Sequence, residues 1–320
     1  MTLSRENRLK LGISSCLLGR SVRYDGGHKR DPFLIETLGR YVDYVPVCPE
    51  VECGLATPRE AMRLQGDPDH PRLLTTKTGR DMTGKMESYA RRRVEELEAE
   101  DLCGFIFKSK SPSSGMERVK VYDDNGVPSR TGSGVFARIF MEHFPLLPTE
   151  EEGRLHDPDL RENFIERIFT VRRWKDSVLT CRTAGAVVDF HTRHKLMILA
   201  HDPERYKVMG RHVAASGATA FDEMRETYEA LLLSALKKKA TPATHTNVLL
   251  HAMGYFKNVL TKDEKAELRD VIDAYRREVI PLIVPITLLQ HYVRKYNPPY
   301  LPDQVYLNPH PYELRLRNHV

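Results

Sequence analysis

Thiols, a carboxylate and hydroxyls follow three short apolar stretches in the first third of the chain. Cys16 follows LGISS, Cys48-Pro-Glu50 follows YVPV, and the serine-rich segment 108–115 follows GFIF. Short apolar runs that lead into a helical pattern are typical of buried parallel strands. In open α/β sheets, ligands bind outside the carboxyl ends of the strands. The pattern therefore predicts one crevice that collects two thiols, a carboxylate and several hydroxyls, which indicates an active site.

The cysteines favour metal or redox chemistry over disulfides. Cys16, Cys48, Cys53 and Cys103 lie in the first 103 residues, and Cys181 is the fifth. An odd number of thiols in a chain predicted to be cytosolic argues against structural bridges. Three thiolates around one crevice can hold an iron–sulfur cluster with one iron left open, whereas the paired CxxC spacing of structural zinc sites is absent. Buried, inert thiols are the alternative, above all for Cys103 inside the third predicted strand.

The segment 111–115, Ser-Pro-Ser-Ser-Gly, has two interpretations. Ser, Pro and Gly build turns by themselves, so the segment is either a plain turn or a set of hydroxyls and backbone N–H groups directed at a ligand. Lys108 and Lys110 flank it and would suit a phosphate.

The composition is typical of a soluble protein, with 41% hydrophobic and 29% charged residues. No apolar run approaches the roughly 20 residues that a membrane helix needs, and MTLSRENRLK at the N-terminus has no apolar signal core, so we expect a cytoplasmic protein without membrane contact. The net charge of +5 comes mostly from residues 151–320, which hold 26 basic and 22 acidic residues. That excess permits contact with a nucleic acid without requiring it.

The pattern predicts two domains, an α/β domain at 1–150 and an all-α domain at 151–320. The first is expected to be a three-layer structure on a parallel sheet, with strands near 10–15, 42–47, 102–107 and 118–122, a tight turn at 123–126, and helices near 31–39, 86–100 and 133–143. Thr57-Pro58 suggests the start of a further helix or a turn. Helical periodicity covers most of 160–295, and His191, His194 and His201 within it are expected to be buried or solvent-facing side chains, although their spacing would suit a metal.

Residues 9–143 resemble the thiouracil desulfidase (TudS) family. The matching motifs, in order, are Ser15-Cys16-Leu17-Leu18-Gly19, Arg23-Tyr24-Asp25-Gly26, Cys48-Pro49-Glu50, Gly54-Leu55, Thr57-Pro58-Arg59, Gly79-Arg80-Asp81-Met82-Thr83, Lys108 and Ser111-Pro112-Ser113. Residues 155–318 resemble the helical YbgA-like domain through Arg161-Glu162-Asn163-Phe164-Ile165-Glu166-Arg167, Phe190-His191, His194-Lys195, His245-Thr246-Asn247, Gly254-Tyr255-Phe256-Lys257, Pro281 to Pro285 and Tyr306 to Pro311. This arrangement of the two domains is similar to that of the tRNA 4-thiouridine desulfidases.

The resemblance implies a 4Fe–4S cluster on three cysteines, with the fourth iron open to the sulfur of the substrate. Cys16 and Cys48 match two of the ligand positions, but Ser114 stands where the family has its third cysteine. We predict that Cys53 replaces it, with Cys103 as the alternative.

The implied reaction is hydrolytic removal of sulfur from 4-thiouridine in tRNA, which gives uridine and hydrogen sulfide without net redox change. The open iron would act as a Lewis acid on the sulfur, and Glu50 as the general base. Ser111 or Ser113 would hold the base edge or the developing anion. We also expect Lys108, Arg59 and Ser114 to contact the substrate.

The helical domain is the predicted tRNA-binding element, with Lys237-Lys238-Lys239, Lys257 and Arg294-Lys295 as possible phosphate contacts. Two other functions are compatible with the sequence. One is desulfidation of a small substrate, free thiouracil or a thionucleoside, although a small substrate needs no helical domain. The other is a non-catalytic RNA-binding protein with a structural metal site.

Overall fold

The chain divides into two compact units, Met1–Asp157 and Pro158–Val320. The structure, a computed structural model, describes residues 8–216 and 220–319, so most of the N-terminal segment behind the cytoplasmic prediction lies outside the described residues. Within the described ranges, no helix has both the length and the apolar character needed to cross a membrane.

The first unit is built on a parallel sheet of four strands. They are β1 (Leu9–Ser14), β2 (Val42–Val47), β5 (Phe105–Phe107) and β8 (Thr149–Glu151), in the order β2-β1-β5-β8. Every pairing in this sheet is parallel. Five of the six residues of β1 are buried, as expected for a central strand covered on both faces. The predicted α/β fold on a parallel sheet is therefore confirmed.

A second sheet in the same unit contains strands that the sequence pattern largely did not reveal. Its strands are β3 (Met62–Gln65), β4 (Arg72–Thr75), β6 (Val119–Tyr122) and β7 (Pro128–Gly132), in the order β4-β3-β6-β7. Only β6 and the tight turn after it were predicted, and both are confirmed. In the turn, the backbone N–H groups of Asn125 and Val127 donate to the Asp123 carboxylate. Thr57-Pro58 starts no helix, because the chain bends there and enters β3.

Among the described residues, the α-helices of the first unit are α1 (Pro49–Glu52), α2 (Thr83–Glu98) and α3 (Val135–His143). α2 buries the apolar stripe that the sequence predicted, including Met86, Val94 and Leu97. Phe105 of β5 packs against Phe140 of α3, with ring centroids 4.6 Å apart. The helix predicted at 31–39 is a single π turn, Phe33–Thr37, followed by a 3-10 turn, Leu38–Arg40.

The described part of the second unit is helical, as predicted. Its helices are α4 (Pro158–Trp174), α5 (Ala184–His201), α6 (Pro203–Ala214), α7 (Phe221–Leu236), α8 (Pro242–Gly254), α9 (Lys262–Arg276) and α10 (Ile283–Tyr296). Trp174 is fully buried and stacks on Tyr228, with ring centroids 5.3 Å apart. The tail after α10 also enters this core, because Leu301 and Tyr306 are fully buried.

Candidate active site

The carboxyl ends of β1, β2 and β5 open onto one cavity of about 280 Å³. Its walls include eight of the residues that the sequence analysis selected: Cys16, Cys48, Glu50, Arg59, Lys108, Ser111, Ser113 and Ser114. Cys53 is not among the described residues that line it. The ends of three strands that are far apart in the sequence thus bring thiols, a carboxylate and hydroxyls to the same cavity.

Cys16 and Cys48 present two protonated thiols to this cavity. Cys16 lies in a 3-10 turn, Ser15–Leu18, and is 8% exposed. Cys48 immediately precedes α1, and its backbone N–H donates to Glu52 Oε1 at 2.6 Å. Burial raises the pKa of Cys16 to about 11 and also raises the pKa of Cys48. A metal that binds here has to displace both protons, as thiol-ligating metals do.

The other cysteines lie elsewhere. Cys53 is half-buried at the end of α1, and its thiol donates to the Glu50 carbonyl oxygen at 3.2 Å. Cys103 is fully buried just before β5, and Cys181 is exposed in the second unit. Ser114, in contrast, lines the cavity and is 4% exposed. Ligation by Cys53 stays a prediction, and it requires the thiol to turn away from the Glu50 carbonyl.

Glu50 is held from two sides. Arg59 donates to Oε2 through Nε at 2.7 Å and also through a terminal nitrogen. Ser113 Oγ donates to Oε1 at 2.7 Å and lies 3.0 Å from Ser111 Oγ. Both members of the Arg59–Glu50 pair are mostly buried, so solvent screens the pair weakly. The structure thus joins the predicted base, two predicted hydroxyls and Arg59 in one hydrogen-bonded chain.

The serine segment 111–115 is fixed by the first turn of α3. The backbone N–H groups of Val135 and Phe136 donate to the carbonyls of Pro112 and Ser113 at 3.1 and 2.9 Å. Gly134 permits this approach, because a Cβ atom there would lie 2.5 Å from the Ser113 carbonyl carbon. The segment is therefore a rigid part of the domain rather than a free surface turn.

Lys108 lines the cavity, and its ammonium group forms an ion pair within the protein. Its ammonium donates to the Glu152 carboxylate and to Ser109. Its backbone N–H donates to Ser14 Oγ at 2.9 Å, which ties β5 to the end of β1. Lys108 thus lines the cavity while its ammonium contacts protein groups.

The sequence analysis did not select three further residues of the cavity wall. Arg23, Tyr24 and Lys29 all line the cavity. Tyr24 is 43% exposed, and its carbonyl accepts the Arg59 backbone N–H at 2.8 Å. A signal was present, since Arg23-Tyr24-Asp25-Gly26 is one of the motifs that carry the resemblance. What the sequence does not show is that this loop faces the thiols.

The helical unit contains a buried ionic network. Arg317 donates to Glu166 Oε1 at 2.7 Å and to Glu162 Oε1 at 3.0 Å. His201 Nε2 lies 3.0 Å from Glu166 Oε2, and its Nδ1 lies 2.7 Å from the Lys238 carbonyl. Burial alone lowers the pKa of His201, but the Glu166 carboxylate outweighs it, so that pKa is raised. Burial raises the pKa of Glu162 to about 7, against the opposing effect of Arg317.

The remaining histidines of the predicted set are bonded within the protein, as expected for interior side chains. His191 Nδ1 lies 3.1 Å from the Tyr228 hydroxyl, and His194 Nδ1 lies 2.7 Å from the Phe190 carbonyl. Together with His201, they are buried in the helical unit.

Two families account for most of the chain. Residues 11–152 match the model of the 2-thiouracil desulfurase family, and residues 195–311 match that of a family of unknown function, DUF1722. The uncharacterized protein YbgA of Escherichia coli (strain K12) is 35% identical over 137 residues, which cover 42% of this chain and 81% of YbgA. The uncharacterized protein YbbK of Bacillus subtilis (strain 168) is 30% identical over 141 residues, 41% of this chain and 88% of YbbK.

A solved structure is also similar, that of the [4Fe-4S]-dependent thiouracil desulfidase TudS. It is 29% identical and covers 47% of this chain and 95% of its own, with a TM-score of 0.38. The chain belongs to the 2-thiouracil desulfurase family over its first unit and to the DUF1722 family over its second. The resemblance stated from the motifs is thus confirmed, and the first unit is that of an enzyme family that removes sulfur.

Proposed function

We propose that this protein removes the sulfur of 4-thiouridine in tRNA and leaves uridine and hydrogen sulfide. One observation carries the proposal: Cys16, Cys48 and the Glu50–Ser113 pair face one cavity at the carboxyl edge of the parallel sheet. The cavity, at about 280 Å³, has room for a single base. A base in folded tRNA therefore has to leave its stack first, at a cost of a few kcal/mol.

The donors fit an iron–sulfur cluster, because cysteine thiols are the ligands that such clusters use and two of them face this cavity. We propose that Cys16 and Cys48 hold a 4Fe–4S cluster with one open iron. Cys53 becomes the third ligand only if its thiol leaves the Glu50 carbonyl, whereas Ser114 already offers an oxygen at the wall. When bound, the cluster supplies a Lewis acid for the thiocarbonyl sulfur.

The side chains of the cavity supply proton transfer and positioning. Water that adds to the ring carbon has to lose a proton, and Glu50 accepts it at Oε1, the oxygen beside Ser113. Arg59 fixes the other carboxylate oxygen. Ser111 orients Ser113. The two hydroxyls hold the base edge as acceptors, or the developing anion once a hydroxyl proton turns away from its acceptor within the protein. Water and a thiocarbonyl give a carbonyl and hydrogen sulfide, so no electron is gained or lost.

Free thiouracil, or a thionucleoside, is the second candidate substrate. The matching family is described as a 2-thiouracil desulfurase, and a free base fits within the cavity volume. The chemistry is the same for both substrates, and they differ only in whether RNA presents the base.

Anaerobic reconstitution with iron and sulfide, followed by incubation with thiolated tRNA or with free thiouracil, tests the proposal. We expect nucleoside analysis to show uridine in place of 4-thiouridine, with one sulfide released for each uridine formed. Sulfide from thiouracil alone would make the free base the substrate. No sulfide from either substrate, in protein loaded with iron, contradicts an enzymatic function and favours the non-catalytic RNA-binding alternative.

Alanine variants of the cysteines test the ligand assignment. Wild-type protein should bind about four irons per chain, the content of a 4Fe–4S cluster. Cys16→Ala and Cys48→Ala should lose most of this iron and the visible absorption, whereas Cys103→Ala should keep both, because that thiol lies in the core. Cys53→Ala and Ser114→Ala, compared under the same conditions, identify the third ligand. Full iron content in Cys16→Ala or Cys48→Ala would refute the assignment.

A further inference from the structure

The outer face of the second sheet forms a basic groove beside the active site. The groove has a volume of about 790 Å³. We define the basic groove by six side chains that line it: Arg63, Lys110, Arg118, Lys120, Arg130 and Arg154. Two acidic residues, Glu117 and Glu151, also line it, so its charge is positive.

The strand register places like charges opposite each other. Lys120 of β6 pairs directly with Arg130 of β7. Val119 and Val121 are buried whereas Lys120 is exposed, so Lys120 and Arg130 project from the solvent face of the sheet. Like charges directly opposite in an antiparallel pair are destabilising. A bound anion removes that cost, and folding alone gives no reason for the arrangement.

Several cations of the groove have no acidic partner. Among the described residues, no carboxylate forms an ion pair with Lys110, Lys120 or Arg130. Arg63 donates to the Gln65 side chain at 2.9 Å and packs over the Tyr122 ring, 5.3 Å from its centroid. Its Nε is buried without a hydrogen-bond partner. Arg154, in contrast, is neutralised by Glu117 and Glu150.

The groove reaches the active site. Ser109, Lys110 and Pro112 line both the groove and the cavity that contains Cys16 and Cys48. A polyanion lying in the groove therefore passes the mouth of a cavity that admits one base.

Basic residues of the helical unit are less available. Lys238 Nζ lies 2.7 Å from Asp202, Lys239 pairs with Asp159, and Lys295 Nζ lies 2.7 Å from Glu264. Three of the lysines predicted to contact phosphates thus already have carboxylate partners.

We propose that the basic groove binds the sugar–phosphate backbone of the RNA whose thiolated base enters the cavity. This inference rests on the proposed function, and it assigns RNA capture to the first unit. Each phosphate bound releases counterions, so Lys120 and Arg130 contribute to a salt-dependent affinity.

The double variant Lys120→Glu/Arg130→Glu tests the groove in the full-length, iron-loaded protein. We expect a roughly tenfold or greater loss of affinity for thiolated tRNA near 0.15 M salt. The slope of log affinity against log salt should fall by about 1.4 to 1.8, the loss of two phosphate contacts. Turnover of free thiouracil should not change, because neither residue lines the cavity. The neutral pair Lys120→Gln/Arg130→Gln should show the same slope change with a smaller loss.

The matched control is Arg91→Glu/Arg92→Glu, which makes the same charge change on the exposed face of α2 in the same unit. Unchanged tRNA affinity in both groove variants, or a loss no larger than in the control, would overturn the inference. Binding is measured apart from turnover. A protein that binds tRNA through the groove but releases no sulfide therefore supports the inference while it contradicts the proposed function.

Discussion

Replacement of Glu50 by glutamine is expected to reduce desulfidation by about 10²-fold or more, with iron binding retained. The amide keeps the shape of the side chain, but it has one acceptor oxygen instead of two. With that oxygen toward Arg59, its NH2 donates to Ser113 Oγ, which reverses that hydrogen bond, and it does not accept a proton from water. Glu50 is not itself a proposed ligand, so iron content should stay near that of the wild type. The measurement is sulfide release per loaded chain, on both tRNA and free thiouracil.

The control is Glu36→Gln, which removes an exposed carboxylate of the same unit that pairs with Arg30. It should leave turnover unchanged. The Glu50 variant also removes the counter-charge of Arg59, so thermal unfolding has to be compared before the rates are interpreted. Near-normal turnover in a folded, loaded Glu50→Gln protein excludes Glu50 as the general base.

Replacement of Arg317 by methionine is expected to lower the free energy of unfolding of the helical unit by about 3–5 kcal/mol. The guanidinium donates to both Glu166 and Glu162. Its removal leaves two buried carboxylates without the positive charge that offsets their desolvation. His201 partly neutralises Glu166, whereas Glu162 would have to bind a proton. The pKa of Glu162 is already raised to about 7 by burial, so the loss should be greatest above that pH, where the carboxylate is ionised.

Trp174 provides the measurement. It is the only tryptophan of the chain and is fully buried in the helical unit, so its fluorescence during urea unfolding reports on that unit. Arg276→Met, at an exposed arginine of α9, should change stability by no more than about 0.5 kcal/mol. A loss below about 1 kcal/mol in Arg317→Met would mean that the network contributes little to the fold.

Buried strands were predictable because their apolar runs are continuous. β1, a central strand with five of its six residues buried, was located within one residue because it is covered on both faces. β2 is an edge strand, and it was located because its apolar run YVPV leads directly into Cys48-Pro-Glu50. β7 and β8 were missed for the opposite reason. β7 is PSRTG with four exposed residues, and β8 is the short polar segment Thr149–Glu151. Their pairing depends on neighbours far away in sequence, which local periodicity does not contain.

The same distinction applies to the cavity. Strand ends were enough to predict that Cys16, Cys48 and the serine segment meet. The Lys108–Glu152 contact joins residues 44 apart and has no local signature. Cys53 shows a limit of spacing arguments. It follows Cys48 by five residues, but the two cysteines lie at opposite ends of α1, Pro49–Glu52. Its thiol donates to the Glu50 carbonyl and does not line the cavity.

Fixation of the serine segment by α3 has a thermodynamic consequence for substrate binding. The hydrogen bonds from Val135 and Phe136, and the close approach at Gly134, order the backbone of the segment while the domain folds. The hydroxyls of Ser111 and Ser113 are then held by hydrogen bonds within the protein. The conformational entropy of these hydroxyls is lost at that stage. Binding of a base therefore does not bear the conformational-entropy cost of ordering them. More of the contact energy between base and wall remains for the reaction itself.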